Sequence, residues 1–289
     1  MIKIVEVGPR DGLQNEPVPI PTEAKVAFVD ALSETGARDI EVSAFVSPKW
    51  VPQLADAKEV FDRIKRKEGV TYSALVPNER GFQRALDANI DKIAVFSAAS
   101  ETFSNKNTNC SIETSYDRLK PVVAAAHGMN LPVRGYVSTA FWCPYEGAVQ
   151  PQVAADCIER MAGLGVTDVS VGDTIGKASP DEVRALLDIL LKKVPADRIA
   201  MHFHDTYGRA AQNVVASYEY GIEIYDACTG GIGGCPYAPG ASGNVATGTV
   251  VRTLRAVGAS VPIDLEQLEI AREKIIEYLC NAGAQNASA

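Results

Sequence analysis

The stretch Ile199-Ala200-Met201-His202-Phe203-His204-Asp205 (residues 199 to 205) decides how this chain is read. It is short, mostly apolar and followed at once by polar residues. The strand period of two puts Met201 and Phe203 on one side and His202 and His204 on the other. Parallel strands covered on both faces normally read as continuous apolar runs, so two imidazoles inside one need hydrogen bonds or a metal. Their α-carbons would lie about 7 Å apart on one face of the strand, a spacing that suits two ligands of one ion as well as a pair of hydrogen-bonded core histidines. The remaining histidine, His127, falls near a helix C-terminus, where a capping role suffices.

Seven other runs share this character: Ile2 to Val7, Asp39 to Phe45, Val70 to Val76, Lys92 to Ser97, Val133 to Ser138, Asp168 to Val171 and Ile222 to Ala227. Amphipathic segments with Ser, Thr or Pro starts alternate with them, among them Thr22 to Thr35, Ser111 to His127, Pro151 to Leu164 and Pro180 to Lys193. Eight such units predict an α/β protein, a (β/α)8 TIM barrel, although a doubly wound open sheet uses the same alternation. The 289 residues read as one domain, 1 to 289. A further helix near Leu265 to Leu279 and a frayed tail form a C-terminal appendage over 264 to 289.

A hydrophobic share of 46% with 22% charged residues is that of an ordinary globular protein. A net charge of -8 opposes nucleic acid, since the only compact basic run, Arg63 to Lys67, reads as a solvated helix face. No apolar stretch reaches the ~18 residues of a membrane span and no charged leader precedes Ile2, so the expected place is the cytoplasm. The six cysteines form no CxxC pair and predict reduced thiols.

Polar clusters follow the strand ends: Gly8 to Glu16 after the first, Gly172-Asp173-Thr174 after the sixth and Gly230 to Asn244 after the eighth. In a barrel these ends converge on one mouth, where enzymes of this architecture place their sites; each loop alone is also ordinary turn chemistry. Glu41 and Ser43 share one face of the second strand, which places another carboxylate in the interior. The loop 230 to 244 fits neither Walker nor GxGxxG spacing and reads as a mobile lid carrying one accessible thiol, Cys235.

These residues resemble the 3-hydroxy-3-methylglutaryl-CoA lyase family, within a metal-dependent barrel superfamily marked by Arg-Asp after the first strand and His-x-His on the seventh. The likeness runs from VEVGPRDGLQNE (5 to 16) through FVSPKWVPQ (45 to 53), NCSIE (109 to 113), RGYVS (134 to 138), CPYEG (143 to 147), GDTIG (172 to 176) and HFHDTYG (202 to 208) to GGCPYAPGASGN (233 to 244) and GASGNVAT (240 to 247). It implies Asp11, His202, His204 and Asn244 as ligands of one Mg²⁺ or Mn²⁺, with no organic cofactor beyond the CoA thioester of an acyl-CoA substrate. Carbon–carbon cleavage to acetyl-CoA and acetoacetate is implied with it. Arg10 would stabilise the thioester enolate, Asp173 would be the general base, Glu41 would support the acid/base network and Cys235 would be the acid. Gln14, Asn107 and Ser170 would touch substrate. A homodimer is possible.

Two departures bear on substrate identity. Animal members carry Glu-Asp where Gly248-Thr249 follow Thr247, and Thr-Ser where Ser43-Ala44 precede Phe45. They keep open a lyase or Claisen-type enzyme for another 3-hydroxyacyl-CoA, and beyond it a metal-binding barrel without catalysis.

Overall fold

The computed structural model describes residues 1–233 and 243–286, with side chains of the last helix through Leu279. In chain order the elements are β1 (Lys3–Glu6), α1 (Thr22–Ser33), β2 (Asp39–Ala44), α2 (Ala57–Arg63), β3 (Thr71–Leu75), α3 (Glu79–Leu86) and β4 (Lys92–Ala98). There follow α4 (Glu101–Thr108), α5 (Ile112–Gly128), β5 (Val133–Ser138), β6 (Trp142–Cys143), β7 (Gly147–Ala148), α6 (Pro151–Gly163), β8 (Val169–Asp173) and α7 (Pro180–Leu190). The chain ends with β9 (Ile199–Phe203), α8 (Ala210–Tyr218), β10 (Ile224–Ala227), α9 (Thr247–Ala256) and α10 (Leu265–Asn286).

Eight strands close into a parallel barrel in the order β1-β10-β9-β8-β5-β4-β3-β2, with β1 pairing β2 to seal it. The open-sheet alternative is thereby removed, and the eight predicted runs are the eight barrel strands. The small β6–β7 hairpin was not foreseen, because two-residue strands carry no periodicity.

The helices follow from their caps and apolar spacing. In α7, Ser179 and Glu182 form a reciprocal capping box with Pro180 in the first turn, and Val183, Leu186, Leu187 and Leu190 form the buried face. Losing the Ser179 cap costs about 1 kcal/mol, whereas Leu187→Ala, at a fully buried position, costs about 2–5 kcal/mol. The C-terminal helix α10 packs against α1 and contributes Leu268, Ala271 and Ile275 to the main core. No described helix is long and apolar enough to cross a membrane.

The barrel interior is charged where many such barrels are aliphatic. Asp39 pairs with Lys3 at 2.8 Å and with Lys92, while Arg134 reaches Asp168 at 2.8 Å and Asp226 at 2.6 Å. All of these except Lys3 are buried, and each charge faces an opposite one, which is the condition on which a low-dielectric interior tolerates ions.

Candidate functional site

The site begins at the C-terminal end of β1, where Gly8–Gly12 forms a single π turn and the amides of Arg10, Asp11 and Gly12 all donate to the Val7 carbonyl. Such turns are uncommon and cluster at functional positions. A Cβ at position 8 would stand 2.7 Å from Glu6 Oε1, so a larger residue there would displace that carboxylate. That carboxylate is a hub. Its Oε1 accepts from the amides of Gly8 (3.0 Å) and Thr229 (2.8 Å), and its Oε2 from the hydroxyls of Thr229 and Thr247, both at 2.7 Å. Burial nevertheless pushes the Glu6 pKa up, against the lowering effect of these hydrogen bonds.

The π turn aims Arg10 inward, where Nε and Nη2 donate to Glu41 Oε2 at 2.9 and 2.8 Å and Nη1 donates to Asp11 Oδ1 at 2.5 Å. The Tyr136 hydroxyl donates to the same Glu41 oxygen at 2.9 Å, and its ring lies 5.4 Å from the Arg10 guanidinium and 5.1 Å from that of Arg134. Burial works against the Arg10 charge, but Glu41 and Asp11 outweigh it and fix the guanidinium as a cation. Glu41 Oε1 is buried without a hydrogen-bond partner among the described residues.

Across the mouth, His202 and His204 stand with ring centroids 5.3 Å apart. Asn244 is bridged to the His204 backbone, and its side-chain amide donates to Asp11 Oδ2 at 2.9 Å. His202 Nε2 lies 3.8 Å from the same Asp11 oxygen. Ligand atoms of Asp11, His202 and His204 all fall within 4.8 Å of one another. His204 Nδ1 is buried without a hydrogen-bond partner among the described residues. A carboxylate, two imidazoles and an adjacent carboxamide form a mixed oxygen and nitrogen donor set that fits Mg²⁺ or Mn²⁺. Burial alone would raise the Asp11 pKa, but Arg10, His202 and His204 hold it well below the usual carboxylate range. Burial and the neighbouring His202 lower His204 to about 4, leaving it neutral at pH 7.

The other expected residues fall at different depths. Asp173, at the end of β8, is fully buried; its Oδ1 accepts from the amides of Lys177 and Ala178 and its Oδ2 from that of Ala178. Burial raises its pKa to about 7. Gln14 is half-buried just past the π turn, and Asn107 is exposed on α4 with no hydrogen bond to any of these residues. Ser170, expected as a substrate contact, is completely buried, and its hydroxyl donates to Asp226 Oδ2 at 2.7 Å. Cys235 lies outside the described residues; of the described cysteines, Cys110, Cys143, Cys157 and Cys228 are free. Ala44 is buried in an apolar cluster with Leu54, Leu75, Ala94 and Tyr136, and Gly248 sits in the first turn of α9 with the Arg252 guanidinium beside it.

Sequence reasoning passed over Glu6, Tyr136 and Asp226. For Asp226 the signal was present, since a carboxylate inside the run Ile222 to Ala227 raises the same question as Glu41.

Comparisons with known proteins agree with this fold. The model of the family described as HMGL-like matches residues 1–275. The chain is 47% identical to the cytoplasmic 3-hydroxy-3-methylglutaryl-CoA lyase of Rattus norvegicus, covering 97% of this chain and 81% of that one. It is 45% identical to a 3-hydroxy-3-isohexenylglutaryl-CoA/hydroxy-methylglutaryl-CoA lyase of Pseudomonas aeruginosa, covering 99% and 96%. The crystal structure of the HMG-CoA lyase from Brucella melitensis superposes with a TM-score of 0.94 at 49% identity, covering 96% of this chain and 98% of that one.

Proposed function

The chain belongs to the HMGL-like family, and from that premise we propose that it cleaves 3-hydroxy-3-methylglutaryl-CoA to acetyl-CoA and acetoacetate. The observation that carries this reading is the meeting of Asp11, His202 and His204 beside the guanidinium that Glu41 holds. With Asn244 these residues would hold one Mg²⁺ or Mn²⁺, whose charge makes a neighbouring substrate hydroxyl more acidic.

Arg10 enters the reaction already oriented. Its three described hydrogen bonds leave it no rotational search, and it directs positive charge at the thioester oxygen, where charge collects as the C2–C3 bond breaks. A preorganised donor of this kind contributes about 3–4 kcal/mol to the transition state. The hydroxyl proton passes to Asp173, the C3 oxygen becomes the ketone of acetoacetate, and the electron pair of the broken bond moves into the thioester enolate. A pKa of about 7 suits a base at neutral pH, but Asp173 must release the Ala178 amide to act. The Cys235 thiol returns a proton to C2 and completes acetyl-CoA. Gln14 and Asn107 remain proposed contacts for the acyl-CoA. The rat relative is named as cytoplasmic, and we infer the same location here.

A coupled acetoacetate assay on the purified protein, with and without chelator, tests the reading. Acetoacetate should form only with Mg²⁺ or Mn²⁺ present; its absence with both ions removes the proposal.

A second reading, a preference for a longer 3-substituent, is favoured by the apolar cluster around Ala44 and by the isohexenylglutaryl substrate in the P. aeruginosa relative's name. Turnover of such a thioester at least about tenfold better than the methyl substrate would establish it; the reverse ratio would end it.

A further inference from the structure

The two candidate ligand histidines occupy the same strand end, yet they are held differently. His204 Nδ1 has no described hydrogen-bond partner, whereas His202 Nδ1 lies 3.1 Å from Asp226 Oδ2. The pairing is built into the sheet, because β10 runs beside β9 with Asp226 directly opposite His202. Three strands converge on this one carboxylate: Arg134 of β5 donates to Oδ1 at 2.6 Å, Ser170 of β8 donates to Oδ2 at 2.7 Å, and His202 of β9 faces the same Oδ2. On its far side Arg134 is anchored by Asp168.

We propose that Asp226 is a positioning residue that fixes the tautomer and ring orientation of His202, with Arg134 and Ser170 holding the carboxylate in place. The inference rests on the reading of Asp11, His202, His204 and Asn244 as donors to a divalent cation. Its logic is one of donors and acceptors. Arg134 donates to one oxygen of Asp226 and Ser170 to the other, so the carboxylate faces His202 as an acceptor. His202 must then carry its proton on Nδ1. That leaves the Nε2 lone pair on the side of Asp11, where a cation would sit. Arg134 supplies the opposing charge that keeps Asp226 from drawing the proton off the ring. Ser170 occupies the second lone pair of Oδ2 and so limits rotation of the carboxylate.

Asp226→Asn separates this role from simple packing. Arg134 is an obligate donor and claims the amide oxygen, so the amide NH₂ turns toward His202. Nδ1 must then accept, the proton moves to Nε2, and the lone pair for the cation is lost. The chain has three histidines, so their ring tautomers can be assigned by ¹⁵N NMR on the metal-free protein at a pH where the rings are neutral. The wild type should show Nδ1–H at His202, and Asp226→Asn should show Nε2–H there. Mn²⁺ affinity, measured by electron paramagnetic resonance, should weaken by about 10–100-fold in the variant. Ser170→Ala should keep the tautomer and weaken Mn²⁺ binding by only a few-fold.

An Nε2–H tautomer in the wild type overturns the proposal, and that measurement decides it even if Asp226→Asn fails to fold. So does a variant that keeps both the wild-type tautomer and the wild-type affinity. Wild-type protein that shows the expected tautomers but binds no Mn²⁺ would sink the donor reading instead, so the two failures are distinguishable.

Discussion

The two halves of the barrel mouth have opposite chemistry. On one side the ends of β1, β2 and β9 and the approach to α9 bring Arg10, Asp11, Glu41, His202, His204 and Asn244 into a charged, hydrogen-bonded network. On the other, Ala44, Leu54, Leu75 and Ala94 form an apolar cluster against which Val46, Val51 and Phe96 pack. Tyr136 belongs to both: its ring joins the apolar cluster and its hydroxyl donates to Glu41. The contrast teaches a division of labour. The polar half fixes charges in space, and the apolar half packs against it through Tyr136, where a low dielectric strengthens those charges.

The largest effect that could break this division is expected at Arg10. Arg10→Met should lower kcat by about 10²–10³-fold with little change in KM, measured in the acetoacetate assay. A comparable loss of kcat from Phe96→Ala would mean that the apolar half also takes part in the charge chemistry.

Asp173 gives the next effect, through pH. Its folded pKa of about 7 lies above the ordinary value of 3.8, so the folded protein keeps a proton that the unfolded chain gives up. The resulting stabilisation is complete below the unfolded value and is lost as pH rises through about 7. Asp173→Asn should flatten this slope, which amounts to at most about 4 kcal/mol. Urea unfolding of metal-free protein across that range measures it, and an unchanged slope would assign the dependence to another group.

Phe96→Ala should change the preference between the methyl substrate and a longer 3-substituent by about 10-fold, with kcat on the better substrate nearly retained. Ala44→Ser should do least. A hydroxyl placed in the apolar cluster costs about 1–3 kcal/mol in unfolding free energy and shifts the substrate ratio by less than about fivefold. A larger shift would show that position 44 reaches the substrate.

The barrel was legible because each strand is an apolar run whose inward residues break the pattern where chemistry is wanted. Glu41, His202 and His204 announced themselves in this way. The π turn did not, since Gly-Pro-Arg-Asp-Gly reads as an ordinary loop until the Val7 carbonyl is seen to accept from Arg10, Asp11 and Gly12 together. The partner of Ser170 was hidden because a strand pattern gives the face of a residue and not its depth: its hydroxyl donates to Asp226. Glu6 was hidden for the opposite reason. It sits in the first strand among apolar neighbours, and its partners Thr229 and Thr247 are more than two hundred residues away.

That last contact has a consequence for the making of the protein. Glu6 stitches the first strand to segments that a ribosome delivers more than two hundred residues later, and Asp11 meets Asn244 across the same seam. A nascent chain that has exposed most of its helices still lacks a complete cradle. A cation that binds only the closed form therefore rewards closed barrels alone, and its grip should mark the moment at which β1 and the approach to α9 have found each other.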